Sequence, residues 1–464
     1  MMKSTPHRDC PEFRSLRRLR RRSVLQAGAL GGLGLSLAGV GGRAAENAGS
    51  GFGSAKRCIF LFMWGGPSQL DTFDMKPSAP AEVRGEFQPI ATSASGLQIC
   101  EHFQALAPLM DRVAVVRSLT HDDPAHLSSG HTTLTGHLPP VNKSDAEPPS
   151  ERDTPFLGSL LTKLRPPETA LPTTVTMPWL AFHPSAPGGQ APGQHGGWLG
   201  RTYDPFLIEG DPSRSDWSVP ALSIIDGVST ERLLDRRRLL TDIDAQRRAL
   251  DGAPVNLLND QQQKAFGLLA APEVRNAFDL RQEPQETRDR FGMNIHGQCV
   301  LLARRLVEHG VNFVSVNWHN DGRNFWDTHG NNFNRLKNDL IPPADRALAA
   351  LITDLEERGL LDETIIAWIG EFGRRPQISK NNAGREHHPF CYSGLLAGGG
   401  IRGGAVYGQS DGSASYPFDL PVSPHDFSAT VMHALGIPAD ATLRDRSERP
   451  HRLYGGRPVQ ALFG

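Results

Sequence analysis

Several short, largely apolar runs limit what this chain can fold into. Cys58–Trp64 reads CIFLFMW and stops at Gly65-Gly66-Pro67. A run apolar at every position, not at alternate ones, must be covered on both faces. It is too short for a core helix and reads as a buried parallel strand. Val113–Val116, Val311–Trp318 (VNFVSVNW) and Thr364–Ile369 (TIIAWI) read as further strands, and Cys391–Ala397 is another apolar run. Between Val311–Trp318 and Thr364–Ile369 the spacing of Ala347, Leu348, Leu351, Ile352 and Leu355 predicts a helix, with Pro342-Pro343 at its start and Gly359 at its stop. A second helix is expected over about Thr287–Glu308. Alternation of this kind predicts an α/β fold with a central, mostly parallel sheet and helices on both faces.

The first 45 residues read as an export signal. Eight Lys/Arg precede the glycine-rich apolar run Ala27–Val40, which is shorter than the roughly 20 residues that span a bilayer. Arg21-Arg22-Ser23-Val24-Leu25-Gln26 resembles a bacterial twin-arginine signal, and Ala44-Ala45 offers a small-residue cleavage site. A periplasmic or otherwise exported protein is expected, one carried across the membrane already folded. Of the 49 Lys/Arg and 50 Asp/Glu, nine and two lie in residues 1–45, so the remainder carries about −8. That balance argues against nucleic acid or an anionic membrane as a partner. No later run is long enough for stable membrane insertion.

Residues 46–464 then form one α/β domain, with an insertion at about 139–285. Residues 139–227 are rich in Pro, Gly and Ser. Residues 229–285 turn polar and helical, and Arg236-Arg237-Arg238 and Gln261-Gln262-Gln263 read as solvated helix faces. Cys58, Cys100, Cys299 and Cys391 form no CxxC pair, which argues against zinc held on thiolates.

In open α/β sheets, ligands sit outside the carboxyl ends of the strands. Asp71 follows the first strand; Asp327 and His329, in Trp326-Asp327-Thr328-His329-Gly330, follow another. Glu371, in Gly370-Glu371-Phe372-Gly373-Arg374, directly ends a third, and His387 precedes the run from Cys391. Carboxylates and imidazoles gathered on one sheet edge suit one or two divalent ions, with Zn, Mn, Mg or Ca as candidates. Taken singly, each of these residues also fits an N-cap, a turn or a surface histidine.

The order of GGPSQLDTFD, a His-rich segment ending in Leu134-Thr135-Gly136, WDTHGNNF, GEFGR and GREHHP, behind the basic leader, resembles an exported bacterial family. That family is domain of unknown function 1501, grouped with the alkaline phosphatase and sulfatase superfamily. The resemblance spans residues 57–437. It implies an alkaline phosphatase-like fold and metal-dependent hydrolysis of phosphate or sulfate esters. The implied partners are a small-molecule or polysaccharide ester substrate and the twin-arginine export machinery.

Carried over by position, the resemblance makes Asp327, His329 and His387 the first metal's ligands, with His388 competing for the last role. Asp71 and Glu371 fall at the second metal's positions, but Phe372 stands where a histidine is usual. The nucleophile position, at the start of the helix ending in Thr135-Gly136, holds His126, with Ser128 and Ser129 nearby. His121, His126 and His131 read equally well as pocket imidazoles or as capping and packing groups. Arg374 and Arg385 are candidate clamps for the ester anion. No cysteine after the leader starts the Cys-x-Pro-x-Arg pattern that formylglycine sulfatases require, so metal-activated water is the expected nucleophile. Gly398–Gly404 lacks the Lys-Ser/Thr ending of a phosphate loop and reads as a turn. The alternative function is a catalytically degenerate member that binds or assembles around a metal, without turnover.

Overall fold

A computed structural model of the chain describes residues 49–167, 169–219, 232, 235, 238, 239, 271–318 and 325–464. The leader, with Arg21 and Arg22, and the runs at Arg236-Arg237 and 261–263 lie outside the described residues.

Among the described residues the central sheet has eight strands. In chain order, those used below are β1 (Arg57–Phe62), β2 (Val113–Leu119), β3 (Thr174–Met177), β4 (Phe206–Leu207), β5 (Phe313–Asn317) and β6 (Thr364–Ile369), followed by the short β7 (Gly373–Arg374) and β8 (His387–His388), then β9 (Tyr392–Ala397) and β10 (Val406–Tyr407). The order across the central sheet is β10-β2-β9-β6-β1-β5-β3-β4, while β7 and β8 pair with each other in a separate two-stranded ribbon. β1 lies at the middle, parallel to β5 on one side and to β6 on the other. Cys58 through Phe62 are all fully buried, as an uninterrupted apolar run requires when both sheet faces are covered.

Helix α1 (His126–Thr135) follows β2, and α2 (Leu157–Leu164) precedes β3. α3 (Ile295–Glu308) leads into β5, and α4 (Ile341–Glu357) links β5 to β6. The helix expected from Thr287 is broken: Gln285–Phe291 ends at Gly292, at φ +97°, and Asn294 caps a fresh start by accepting from Gly297 N–H. The end of α4 at Gly359 (φ +66°) and the turn at 398–404 agree with the sequence reading.

Two features differ from that reading. β9 runs antiparallel to both of its neighbours, β2 and β6. It therefore begins at the edge where the parallel strands end, which is how Gly384–Pro389, just before it, reaches the carboxyl edge of the sheet. In addition, β3 and β4, drawn from the stretch assigned to an insertion at 139–285, join the central sheet, with β3 parallel to β5. Among the described residues no helix is long and apolar enough to cross a membrane, and the four cysteines are free and buried.

Candidate metal centre

Gly65 lets three strand-end loops meet. At φ +110° it occupies backbone space that a side chain rarely adopts, and a Cβ there would lie 2.3 Å from the Asp327 nitrogen. Its N–H donates to both carboxylate oxygens of Glu371, at 2.9 and 3.2 Å, and its carbonyl accepts from Arg374 Nη2. The ends of β1, β5 and β6 are thereby tied around one backbone unit.

Asp327 is the hub of the side chains. Its Oδ1 lies 2.9 Å from His329 Nε2, 3.1 Å from His387 Nε2 and 2.5 Å from Arg374 Nη2. Its Oδ2 lies 3.6 Å from His126 Nε2. His126, Asp327 and His387 each offer a donor atom within 4.8 Å of the others, and His329 Nε2 is 2.9 Å from His387 Nε2.

The far side of each ring fixes its tautomer. His126 Nδ1 sits 2.6 Å from Glu371 Oε1, His387 Nδ1 2.8 Å from the Pro124 carbonyl, and His329 Nδ1 2.5 Å from Glu386 Oε2. Carbonyls and carboxylates only accept, so each Nδ1 carries a proton; a neutral ring then turns an Nε2 lone pair inward, while a second proton on Nε2 would donate to Asp327. Two such lone pairs 2.9 Å apart, beside a carboxylate oxygen, repel unless a cation or an extra proton lies among them. A buried carboxylate behind an imidazole is also the usual support for a metal-binding histidine.

The electrostatics agree. Burial works to raise the Asp327 carboxyl, but the Arg374 guanidinium and the imidazoles of His126, His329 and His387 hold it far below the usual carboxylate range. Burial likewise disfavours charge on His126, yet bonds to Asp327 and Glu371 push its imidazole up to about 9. Asp327 raises His329, while burial lowers His387. The pocket attracts positive charge.

The structure places the sequence-derived candidates unevenly. His126, Asp327, His329 and His387 come together, and Glu371 stands behind His126, with its oxygens bonded to that ring and to Gly65. Asp71 is engaged elsewhere: Arg385 Nε donates to its Oδ2 at 2.7 Å and Arg385 Nη2 to its Oδ1 at 3.0 Å, with Ser68 and Asn332 completing its shell. Both members of that pair are fully buried. Arg385 also donates to the Val83 and Pro376 carbonyls, which makes it a structural cation rather than the catalytic group expected of it. Arg374, the other expected clamp, is fully buried against Asp327, Gly65, Gly66 and the Arg385 carbonyl.

Ser128 lies inside α1, and its Oγ accepts from Ser144 N–H. His388 turns to the Ser415 carbonyl, leaving His387 as the inward residue. His121 bonds the Glu371 carbonyl and His131 the His137 carbonyl, so neither joins the cluster. Phe372 packs its ring at a tilt against His126 and His387, with centroids 4.9 and 4.4 Å away, and forms a wall of the pocket. Sequence reasoning missed His183, whose ring lies 5.4 Å from that of His126. The available signal was its position a few residues past the short β-branched run Thr174-Val175-Thr176.

A family model described as "Protein of unknown function (DUF1501)" matches residues 55–463. The chain belongs to that family. No curated protein matches its sequence. Among solved structures it is similar to Ps i-CgsB in complex with k-i-k-neocarrahexaose, at 12% identity, 88% coverage of this chain, 76% of that one, and a TM-score of 0.42. It is also similar to the PsFucS1 sulfatase from Pseudoalteromonas sp. (14%, 88% and 72%, 0.40) and to the phosphonate monoester hydrolase SpPMH from Silicibacter pomeroyi (12%, 88% and 76%, 0.38). Likenesses of this size leave the function to the geometry of the site.

Because Asp71 neutralises a buried guanidinium, Asp71→Asn should lower folding stability by about 3–5 kcal/mol. Urea denaturation measures this. A loss below about 1 kcal/mol would contradict the structural assignment of the Asp71–Arg385 pair.

Proposed function

We propose that this chain is an exported, metal-dependent hydrolase of phosphate or sulfate esters, with one divalent ion held by His126, Asp327, His329 and His387. The observation that carries the reading is the convergence of three Nε2 atoms on the Asp327 carboxylate, each ring locked from behind by an oxygen acceptor. Nitrogen and oxygen donors in this number suit Zn²⁺ or Mn²⁺. The ion would supply Lewis acidity to an ester oxygen and to water.

The chain's own residues do the rest. Glu371 holds the His126 tautomer, and Gly65 N–H holds Glu371. Arg374 offsets the Asp327 charge from the side away from His126. Phe372 walls the pocket with an apolar ring, which excludes water from one flank and strengthens the electrostatics within. The site takes one ion on this account. The acid suggested for a second ion, Glu371, is bonded to His126 and Gly65; Asp71 is paired with Arg385; and Phe372 offers no donor.

The alternative, a metal-stabilised binding protein without turnover, is favoured by the lack of a hydroxyl nucleophile at the start of α1, where His126 stands. The substrate is proposed as a small-molecule or polysaccharide ester. Export by the twin-arginine route rests on Arg21-Arg22 and the weak apolar run that follows.

Metal analysis of purified protein should give about one ion per chain, Asp327→Asn should retain almost none, and Glu371→Gln should weaken metal affinity by about 10–100-fold. The metal-loaded protein should hydrolyse some member of a broad panel of aryl phosphates and sulfates. Turnover of none would favour the binding-protein alternative. Changing Arg21 and Arg22 to Lys together should leave the precursor in the cytoplasm, as fractionation reads directly; normal export would rule the route out.

A further inference from the structure

His183 differs from the other imidazoles of the centre in its tautomer. It sits on the loop leaving β3, at the edge of the sheet where Asp327 and Glu371 follow their strands. The loop is firmly built. Trp64 Nε1 donates to the Phe182 carbonyl at 3.1 Å, and His183 N–H donates to the Gly189 carbonyl at 2.8 Å. Gln194 bridges the two arms through Ala181 and Ala191. Gly189, at φ +80°, lies so close to the Phe182 ring that a Cβ would fall 1.9 Å from it. The half-buried His183 ring then rests beside His126.

Ser185 N–H donates to His183 Nδ1 at 3.3 Å. A backbone N–H can only donate, so Nδ1 is the accepting nitrogen and the neutral ring's proton is on Nε2. His126, His329 and His387 have the reverse arrangement. A protonated Nε2 has no lone pair for a cation, but it donates to an anion. No described residue bonds this Nε2. The two arginines that would otherwise clamp an anion are occupied, Arg374 by Asp327 and Arg385 by Asp71, which leaves an ester without a side-chain donor from either.

We propose that His183 Nε2–H is the hydrogen-bond donor that receives a non-bridging oxygen of the phosphate or sulfate group beside the metal centre. This rests on the hydrolase reading above. It assigns the anion-binding role to a neutral imidazole on the β3 loop rather than to an arginine.

The test is calorimetric binding of inorganic phosphate and of sulfate to the zinc-loaded mature chain, with zinc content measured in parallel. Wild type should bind at least one of the two anions. His183→Ala should weaken that binding by about 10-fold or more, the effect of losing one bond to a charged group, with zinc content unchanged. His183→Gln, whose amide places an N–H near the position of Nε2, should stay within about threefold of wild type. Equal binding by wild type and His183→Ala would overturn the assignment while leaving the hydrolase reading intact. Loss of zinc in His183→Ala would overturn it by making His183 a ligand. Failure of zinc-loaded wild type to bind either anion would overturn the hydrolase reading and the assignment together.

Discussion

The carboxylate of Asp327 sets the terms for everything around it. It is largely withdrawn from water, fixed on one oxygen by the Arg374 guanidinium, and faced by the Nε2 atoms of three imidazoles. A buried anion needs compensation, and Arg374 supplies part of it. The three Nε2 atoms that crowd the same carboxylate call for a further positive charge, as protons on the rings or as a bound cation. The backbone at Gly65 makes the crowding possible, because only a residue without a side chain fits between Asp327, Glu371 and Arg374.

The fold was legible in the sequence where burial is complete. Cys58–Phe62 and Ile365–Ile369 are apolar at every position because helices or loops cover both faces of the sheet, and the spacing within 341–357 marks a helix with one buried face. The direction of β9 was not legible: a buried strand has the same composition whether it runs parallel or antiparallel. β3 and β4 were hidden for a different reason. At four and two residues they are too short to show a period, and they lie within Pro- and Gly-rich loops.

The candidate site was legible as a set of strand-end residues, less so as a set of contacts. Asp327, His329 and His387 could be grouped because each adjoins an apolar run. Asp71 adjoins one too, yet its partner Arg385 is more than 300 positions away, and nothing local in GGPSQLDTFD distinguishes an ion-paired aspartate from a ligand. The roles of Arg374 and Arg385 were hidden likewise, since an arginine after a glycine reads as exposed until the fold closes over it. His126 is inward because α1 begins there and Glu371 catches its Nδ1. His183 depends on a single backbone bond from Ser185 for its tautomer, a property with no sequence signature.

The most direct test of the account is anomalous diffraction from crystals of the zinc-loaded mature chain, collected on both sides of the zinc edge. The account predicts one anomalous peak per chain, bonded at roughly 2 Å to Asp327 and to the Nε2 atoms of at least two among His126, His329 and His387. The Asp71–Arg385 pair should remain intact. A peak on Asp71, a second ion on Glu371, or no ion beside Asp327 at saturating zinc would contradict it.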